Sequence, residues 1–199
     1  MVNMRNVMVN MRTPSKIIWV RYSDYYKVCD KQALRGGCYS LVFTEMKPES
    51  YQYPCEFEES VYFGESAGYY LDPQGSGRLK IRSHLHKRMT NHHKPLTTGK
   101  GGESNMKNII GKYGYGEHIL NGTITGIPLW LCILVPREDL PESMVKAWVQ
   151  FHERDQILSY MLTFGRSPLG NNDCDSHKDP DSWSTKTLQK MGSLESFMS

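Results

Sequence analysis

Apolar positions fall in short runs divided by polar, glycine- and proline-bearing stretches. Ile17–Arg21 (Ile-Ile-Trp-Val-Arg) predicts a short strand. Gly37–Glu45 follows a Gly-Gly turn signal and mixes β-branched with aromatic residues; Glu59–Glu65 does the same, and both predict strands. The intervening Met46–Glu58, with Pro48 and Pro54, predicts an elongated hairpin connection, and Ala67–Gly77 a glycine-punctuated loop. Leu79, Leu85 and Met89 are spaced for one face of a helix over Arg78–Met89. Asn91–Glu103 is polar and glycine-rich and predicts a loop, after which Ser104 caps a short helix to about Tyr113. Leu129–Val135, closed by Pro136, predicts a buried strand. Leu140-Pro141-Glu142 opens the longest helix, which runs to about Phe164 and stops at Gly165.

This β-β-α-α-β-α succession predicts one small α/β fold, α+β in its layering, with a mainly antiparallel three-stranded central sheet flanked by helices. Residues 17–172 form that single domain. Residues 1–16 predict a flexible extension, in which Met1–Arg5 recurs as Met8–Arg12, and the polar residues 173–199 a mobile tail.

Composition narrows the class. Of 199 residues 39% are apolar and 23% charged, which excludes collagen, coiled coil and wholesale disorder. The longest apolar run, Ile127–Val135, is far short of the roughly 18 residues of a membrane-spanning helix. No basic-then-apolar leader opens the chain, and the five cysteines (Cys29, Cys38, Cys55, Cys132, Cys174) form no CxxC pair. They predict reduced thiols in a cytoplasmic protein without a membrane anchor. Charge is more telling than its total of +3. Between Pro73 and Gly102 lie seven Lys/Arg, including Lys80, Lys87, Arg88, Lys94 and Lys100, with four His and no acid. Such a block suits a polyanion such as double-stranded DNA, or simply a solvated face. Its histidines lack the cysteines and spacing of a zinc finger.

Gly37-Cys38-Tyr39 on one strand and Tyr62-Phe63-Gly64 on the next resemble the paired motifs of the GIY-YIG nuclease family. That family places an arginine on the first helix after the second motif, with a histidine or tyrosine four residues on; here Arg82 and His86 offer that pair. Asn105–Gly114 looks like the second-helix segment of its phage homing endonucleases. Phe151–Leu158 looks like its acid-bearing helix, and Pro168-Leu169-Gly170-Asn171 like its closing Pro-Leu-Asn element. The resemblance spans about residues 36–172. It implies a metal-dependent, sequence-specific endonuclease that hydrolyses double-stranded DNA, of restriction type or a small freestanding homing enzyme.

By the same resemblance, Glu153 holds one Mg²⁺ (or Mn²⁺), with Asp155 the nearest rival and Glu142 and Glu117 more distant ones. Such a hard ion suits a carboxylate with water and phosphate oxygens. Arg82 contacts the scissile phosphate through its fork, with Arg78 as rival. Tyr39 leads as general base and Tyr62 sits beside the attacking water. His86 bonds a tyrosine hydroxyl and moves a proton. A phenol titrates near ~10, so a basic role requires cations to lower it. Lys80, Lys87, Arg88, Lys94, Lys100 and Asn171 are the expected DNA contacts. Cutting both strands requires a homodimer on DNA or successive nicks. The long Tyr39–Tyr62 and Arg82–Glu153 intervals depart from the family's compact members. A non-catalytic basic DNA-binding module is the alternative.

Overall fold

The computed structural model describes residues 14–29, 36–45, 53–66, 68–71, 79–83, 85–101, 104–123, 126–140 and 142–171. In chain order its elements are β1 (Lys16–Arg21), a 3-10 turn at Tyr22–Asp24, α1 (Tyr25–Cys29), β2 (Gly37–Phe43) and a second 3-10 turn at Pro54–Glu56. There follow β3 (Ser60–Ser66), β4 (Gly68–Leu71), β5 (Leu79–Ser83), α2 (Leu85–Thr98), α3 (Ser104–Tyr113), α4 (Glu117–Asn121), β6 (Leu129–Val135) and α5 (Glu142–Phe164). The expected tail 173–199 and most of the expected extension lie outside the described residues. Ser15 and Lys16 belong to the fold: the Ser15 N–H donates to Val135 O at 2.9 Å, and Lys16 opens β1.

The central sheet is α+β in kind and antiparallel throughout, but it has four strands where three were expected, in the order β1-β6-β2-β3. The added strand is Ile17–Arg21 itself, which pairs with β6 from Lys16↔Val135 to Arg21↔Trp130. β6 therefore has neighbours on both sides and helices on both faces, which explains its uninterrupted apolar run. Side chains alternate between the faces. Tyr39, Leu41 and Phe43 join Leu85, Met89, Met106 and Ile119 from α2, α3 and α4 in one core cluster. Cys38, Cys132 and Leu134 join Val145, Trp148 and Val149 of α5 in the other.

The helix expected over Arg78–Met89 is two elements. Leu79-Lys80-Ile81-Arg82 alternates apolar and basic residues, the period of a strand, and pairs as β5 with Gly68–Leu71 inside the stretch expected to be a loop. Arg82 thus stands on a strand, not a helix. The helix begins at Leu85 and continues to Thr98, through most of the expected Asn91–Glu103 loop and past Pro95. Leu85, Met89, His92 and Leu96 recur at steps of four, three and four residues, and all are buried. Gly99, at φ +68°, ends the helix and donates its N–H to Pro95 O at 2.8 Å.

β3 is an edge strand, and its outward polar groups are covered. The Gly170 N–H donates to Val61 O at 2.7 Å, and the Asn171 side chain brackets Phe63, accepting from its N–H at 2.9 Å and donating to its C=O at 2.7 Å. Two residues on, the Arg88 Nε donates to Glu65 O at 3.3 Å. Among the described residues no helix is long and apolar enough to cross a membrane.

Candidate active site

The site lies at this outer edge of β3. Tyr39 on β2 pairs with Gly64 on β3, and its ring crosses the glycine: a Cβ at Gly64 would stand 2.6 Å from both the Tyr39 Cζ and hydroxyl. The last residue of Tyr62-Phe63-Gly64 is therefore small because a phenol occupies its side-chain space. Tyr62, two residues earlier on the same face, has its ring 6.0 Å from that of Tyr39, and the two phenols share a hydrogen bond. Gly170 of the closing segment packs on Tyr62, with room for a Cβ only 3.0 Å from its ring.

From α2, the His92 Nε2 lies 2.8 Å from the Tyr39 hydroxyl, and the imidazole meets Tyr62 edge-on at 5.2 Å. Which of the two groups donates follows from the histidine tautomer. Arg88 stands four residues earlier on the same helical face, next to the β3 edge. Its charge reaches Tyr39, Tyr62 and His92. Asn105 of α3 hydrogen-bonds Tyr62, and Glu153 of α5 acts electrostatically on both phenols.

These neighbours fix the protonation states. Burial holds the Tyr39 phenol well above its ordinary value; Tyr62 adds to the shift and Arg88 opposes it. Tyr62 is raised by burial as well, with Arg88, its hydrogen bond to Tyr39 and Asn105 all pulling the other way. Burial, and then Arg88, push the His92 imidazole down to about 4. Near neutral pH both phenols are protonated and His92 is uncharged. Cations were expected to bring a tyrosine down into the working range; burial overrides them, and the uncharged imidazole is the group able to take a proton.

The expected residues divide accordingly. Tyr39 and Tyr62 come together, and Glu153 acts on both electrostatically from α5. Arg82 and Lys80 stand on β5, and their side chains lie outside the described residues. His86 packs its ring 5.7 Å from Tyr25, and six residues of helix turn it about 120° away from His92. Arg88, expected as a DNA contact, acts electrostatically on the two phenols and His92. Asn171, also expected on DNA, is buried with both ends of its amide engaged by Phe63, because an edge strand needs its outward groups satisfied. Lys87 and Lys94, seven residues apart, form one exposed stripe of α2, and Lys100 is exposed just beyond it. Of the rival acids, Glu117 pairs with His93 at 3.5 Å, Asp155 is exposed, and the Glu142 side chain lies outside the described residues.

Sequence reasoning did not single out His92 as a site residue and gave Arg88 only as a DNA contact. Their signal was present: Leu96 falls seven residues after Met89, so the apolar stripe continues beyond Met89 with His92 in a core position. Cys29, Cys38, Cys55 and Cys132 are free thiols, as expected; Cys174 lies outside the described residues. Compared with family models, with curated proteins and with solved structures, the chain matches none.

Proposed function

We propose that this protein is a metal-dependent endonuclease that hydrolyses phosphodiester bonds in double-stranded DNA, built on the GIY-YIG plan. The observation that carries this reading is one convergence. Tyr39, Tyr62, Arg88, His92 and Glu153, drawn from two strands and two helices, act on one another at a single sheet edge. Arg88 and His92 supply the arginine and the histidine four residues later on the first helix after the second motif, taking the roles expected of Arg82 and His86. The β2–β3 hairpin, the helices α2 and α3, strand β6 beside β2 and the long α5 follow the order the resemblance implies, with β1 added at the far edge.

Each group has work suited to its surroundings. The Arg88 guanidinium presents fixed donors to a phosphodiester and neutralises charge that develops in the transition state. In the competent tautomer the His92 Nε2 accepts the Tyr39 hydroxyl proton as that phenol oxygen takes one from the attacking water. A phosphate arriving beside Arg88 offsets one of the two causes of the low His92 value, which strengthens the imidazole as a base when substrate is bound. Tyr62, held by Asn105, orients the water. Lys87 and Lys94 lie along the exposed stripe to grip flanking phosphates.

The donor set fits a hard ion. Among the described residues no group of three or more His, Cys, Asp or Glu could hold a metal ion, so a single carboxylate with water and phosphate oxygens is the arrangement considered. Glu153, whose charge reaches both phenols, suits Mg²⁺ or Mn²⁺, ions content with few carboxylates plus water and phosphate oxygens. When bound, such an ion supplies Lewis-acid stabilisation of the leaving oxygen.

The test is incubation of the full chain with supercoiled plasmid and Mg²⁺, with and without EDTA. Nicking or linearisation that EDTA abolishes is the expected result. Binding without cleavage under all metals would overturn the enzyme in favour of a basic DNA-binding module. Sequencing the product ends would give the recognition site, its symmetry and whether a homodimer cuts.

A further inference from the structure

We propose that Tyr115 and Lys100, at the C-terminal end of α2, form an accessory contact for the sugar–phosphate backbone of duplex DNA, a partner taken from the reading above. Tyr115 belongs to neither motif of the resemblance and to no part of the phenol site.

Among the described residues three large apolar or aromatic side chains are exposed: Tyr26, Tyr115 and Leu162. Tyr115, 54% exposed, is nevertheless held in place. Gly99, which ends α2, lies against its ring: a Cβ there would stand 2.8 Å from Cδ1, 2.9 Å from Cε1 and 3.0 Å from Cγ. Three nearly equal distances put Gly99 over the face of the ring, not at its edge. The opposite face therefore carries the exposure. The backbone is tied on both sides as well. The Gly114 N–H donates to Ile110 O at 2.8 Å, and the Gly116 N–H donates to Leu96 O at 2.8 Å. A ring already fixed in this way gives up little conformational freedom when a partner covers it.

Charge says what that partner is. Lys100 directly follows Gly99, and Lys94 lies near the end of α2; both are exposed, and neither pairs with an acid among the described residues. Lys112, three residues before Tyr115, holds its Nζ 5.0 Å from the Tyr113 ring. Glu117, two residues after Tyr115, is engaged by His93 at 3.5 Å. Tyr26 is the contrast: the Lys27 Nζ, 5.8 Å from its ring, is already neutralised by Asp24 at 2.8 Å. Lysines beside a fixed ring face suit a nucleic-acid backbone, with ammonium and phenol hydroxyl on phosphate oxygens and the ring against deoxyribose. A single-strand platform stacks successive bases on several rings, and one face falls short of that. Gly99 lies eleven residues beyond Arg88, about 16 Å along the helix axis. A duplex following Lys87 and Lys94 thus meets Tyr115 about five base-pair steps from a phosphate held at Arg88.

The experiment reads fluorescence anisotropy of a labelled random-sequence duplex with the full chain in EDTA, where binding is measured apart from cleavage. Tyr115→Ala is expected to weaken binding about five- to tenfold and to leave the slope of affinity against salt unchanged, since no charge is removed. Tyr115→Phe keeps the ring and should lose less. Lys100→Ala should weaken binding and flatten the slope by about one unit. Tyr26→Ala, the comparably exposed control, should bind as wild type does. Should circular dichroism show Tyr115→Ala unfolded, wild type is nitrated with tetranitromethane and mapped by mass spectrometry; duplex should shield Tyr115 and leave Tyr26 reactive. Wild-type affinity in folded Tyr115→Ala, or nitration of Tyr115 undiminished by duplex, overturns the contact whether or not the protein nicks plasmid. Shielding by single-stranded DNA alone overturns the duplex assignment. A wild type that binds no duplex overturns both this contact and the nuclease. Duplex binding that depends on Tyr115, without any metal-dependent nicking, upholds the contact and sinks the nuclease.

Discussion

Two arginine–histidine pairs lie six residues apart in this chain with the same spacing, and the fold treats them differently. Arg82 and His86 straddle a boundary: the arginine is on β5, and the histidine is in the first turn of α2 with its ring against Tyr25. Arg88 and His92 share one face of a continuous helix, and that face meets the two phenols. A spacing of four residues brings side chains together only where the backbone is helical through both. Spacing in the sequence is therefore half of a motif. The other half is the conformation that carries it.

The largest effect should come from the two arginines. Arg88→Ala is expected to slow plasmid nicking by about 10²–10³-fold, the scale of removing a preorganised donor to transition-state charge. Arg88→Lys should recover little of it, because an ammonium lacks the planar fork. Arg82→Ala, on a strand and off the helical face that meets the phenols, should stay within about threefold of wild type. Single-turnover nicking at saturating Mg²⁺ gives both values. A severe loss at Arg82 with Arg88 silent would reverse the assignment and return the site to the first pair.

The histidines separate by acid sensitivity. His92 titrates at about 4 in the folded chain, against roughly 6.5 when unfolded. Between those values the unfolded state binds the extra proton. The stability that the neutral imidazole contributes is thus complete above pH ~6.5 and is lost as pH falls toward 4. The loss amounts to about 3 kcal/mol. Urea unfolding near neutral pH and near pH ~4 should show it in wild type and in His86→Gln, and His92→Gln should lack that portion. An equal slope in all three would mean that the buried imidazole is not the group responsible.

Much of this architecture is written in the local pattern. Leu129–Val135 is a strand from end to end because an unbroken apolar run suits a strand covered on both faces. Gly165, at φ +65°, stops the long helix where a residue without Cβ was needed. Tyr39 and Tyr62 are buried where motif and core position coincide. The failures share one cause. Polar residues in the second half of α2, with Pro95 among them, read as a loop, and the burial of His92 depends on phenols 30 and 53 positions earlier in the chain, a tertiary contact that local pattern does not contain. Leu79–Ser83 is short enough that Leu79, taken with Leu85 and Met89 beyond it, fits a helical face as well as a strand.

Asn171 tests the comparison at its quiet end, since its role was expected to be DNA contact and the fold gives it two main-chain hydrogen bonds instead. Asn171→Ala leaves the Phe63 N–H and C=O unpaired at the β3 edge and is expected to lower stability by about 1–3 kcal/mol. Asn171→Asp keeps the acceptor for the Phe63 N–H but sets a carboxylate oxygen against its C=O, so it should recover only part of that loss. Neither change should alter the slope of DNA affinity against salt, because no phosphate contact is removed. Lys94→Ala provides the contrast: on the exposed stripe of α2 it should leave the urea midpoint in place and flatten the salt slope by about one unit. Were Asn171→Ala to behave as Lys94→Ala does, the closing segment would be part of the DNA interface, and β3 would need another explanation for how its edge is protected.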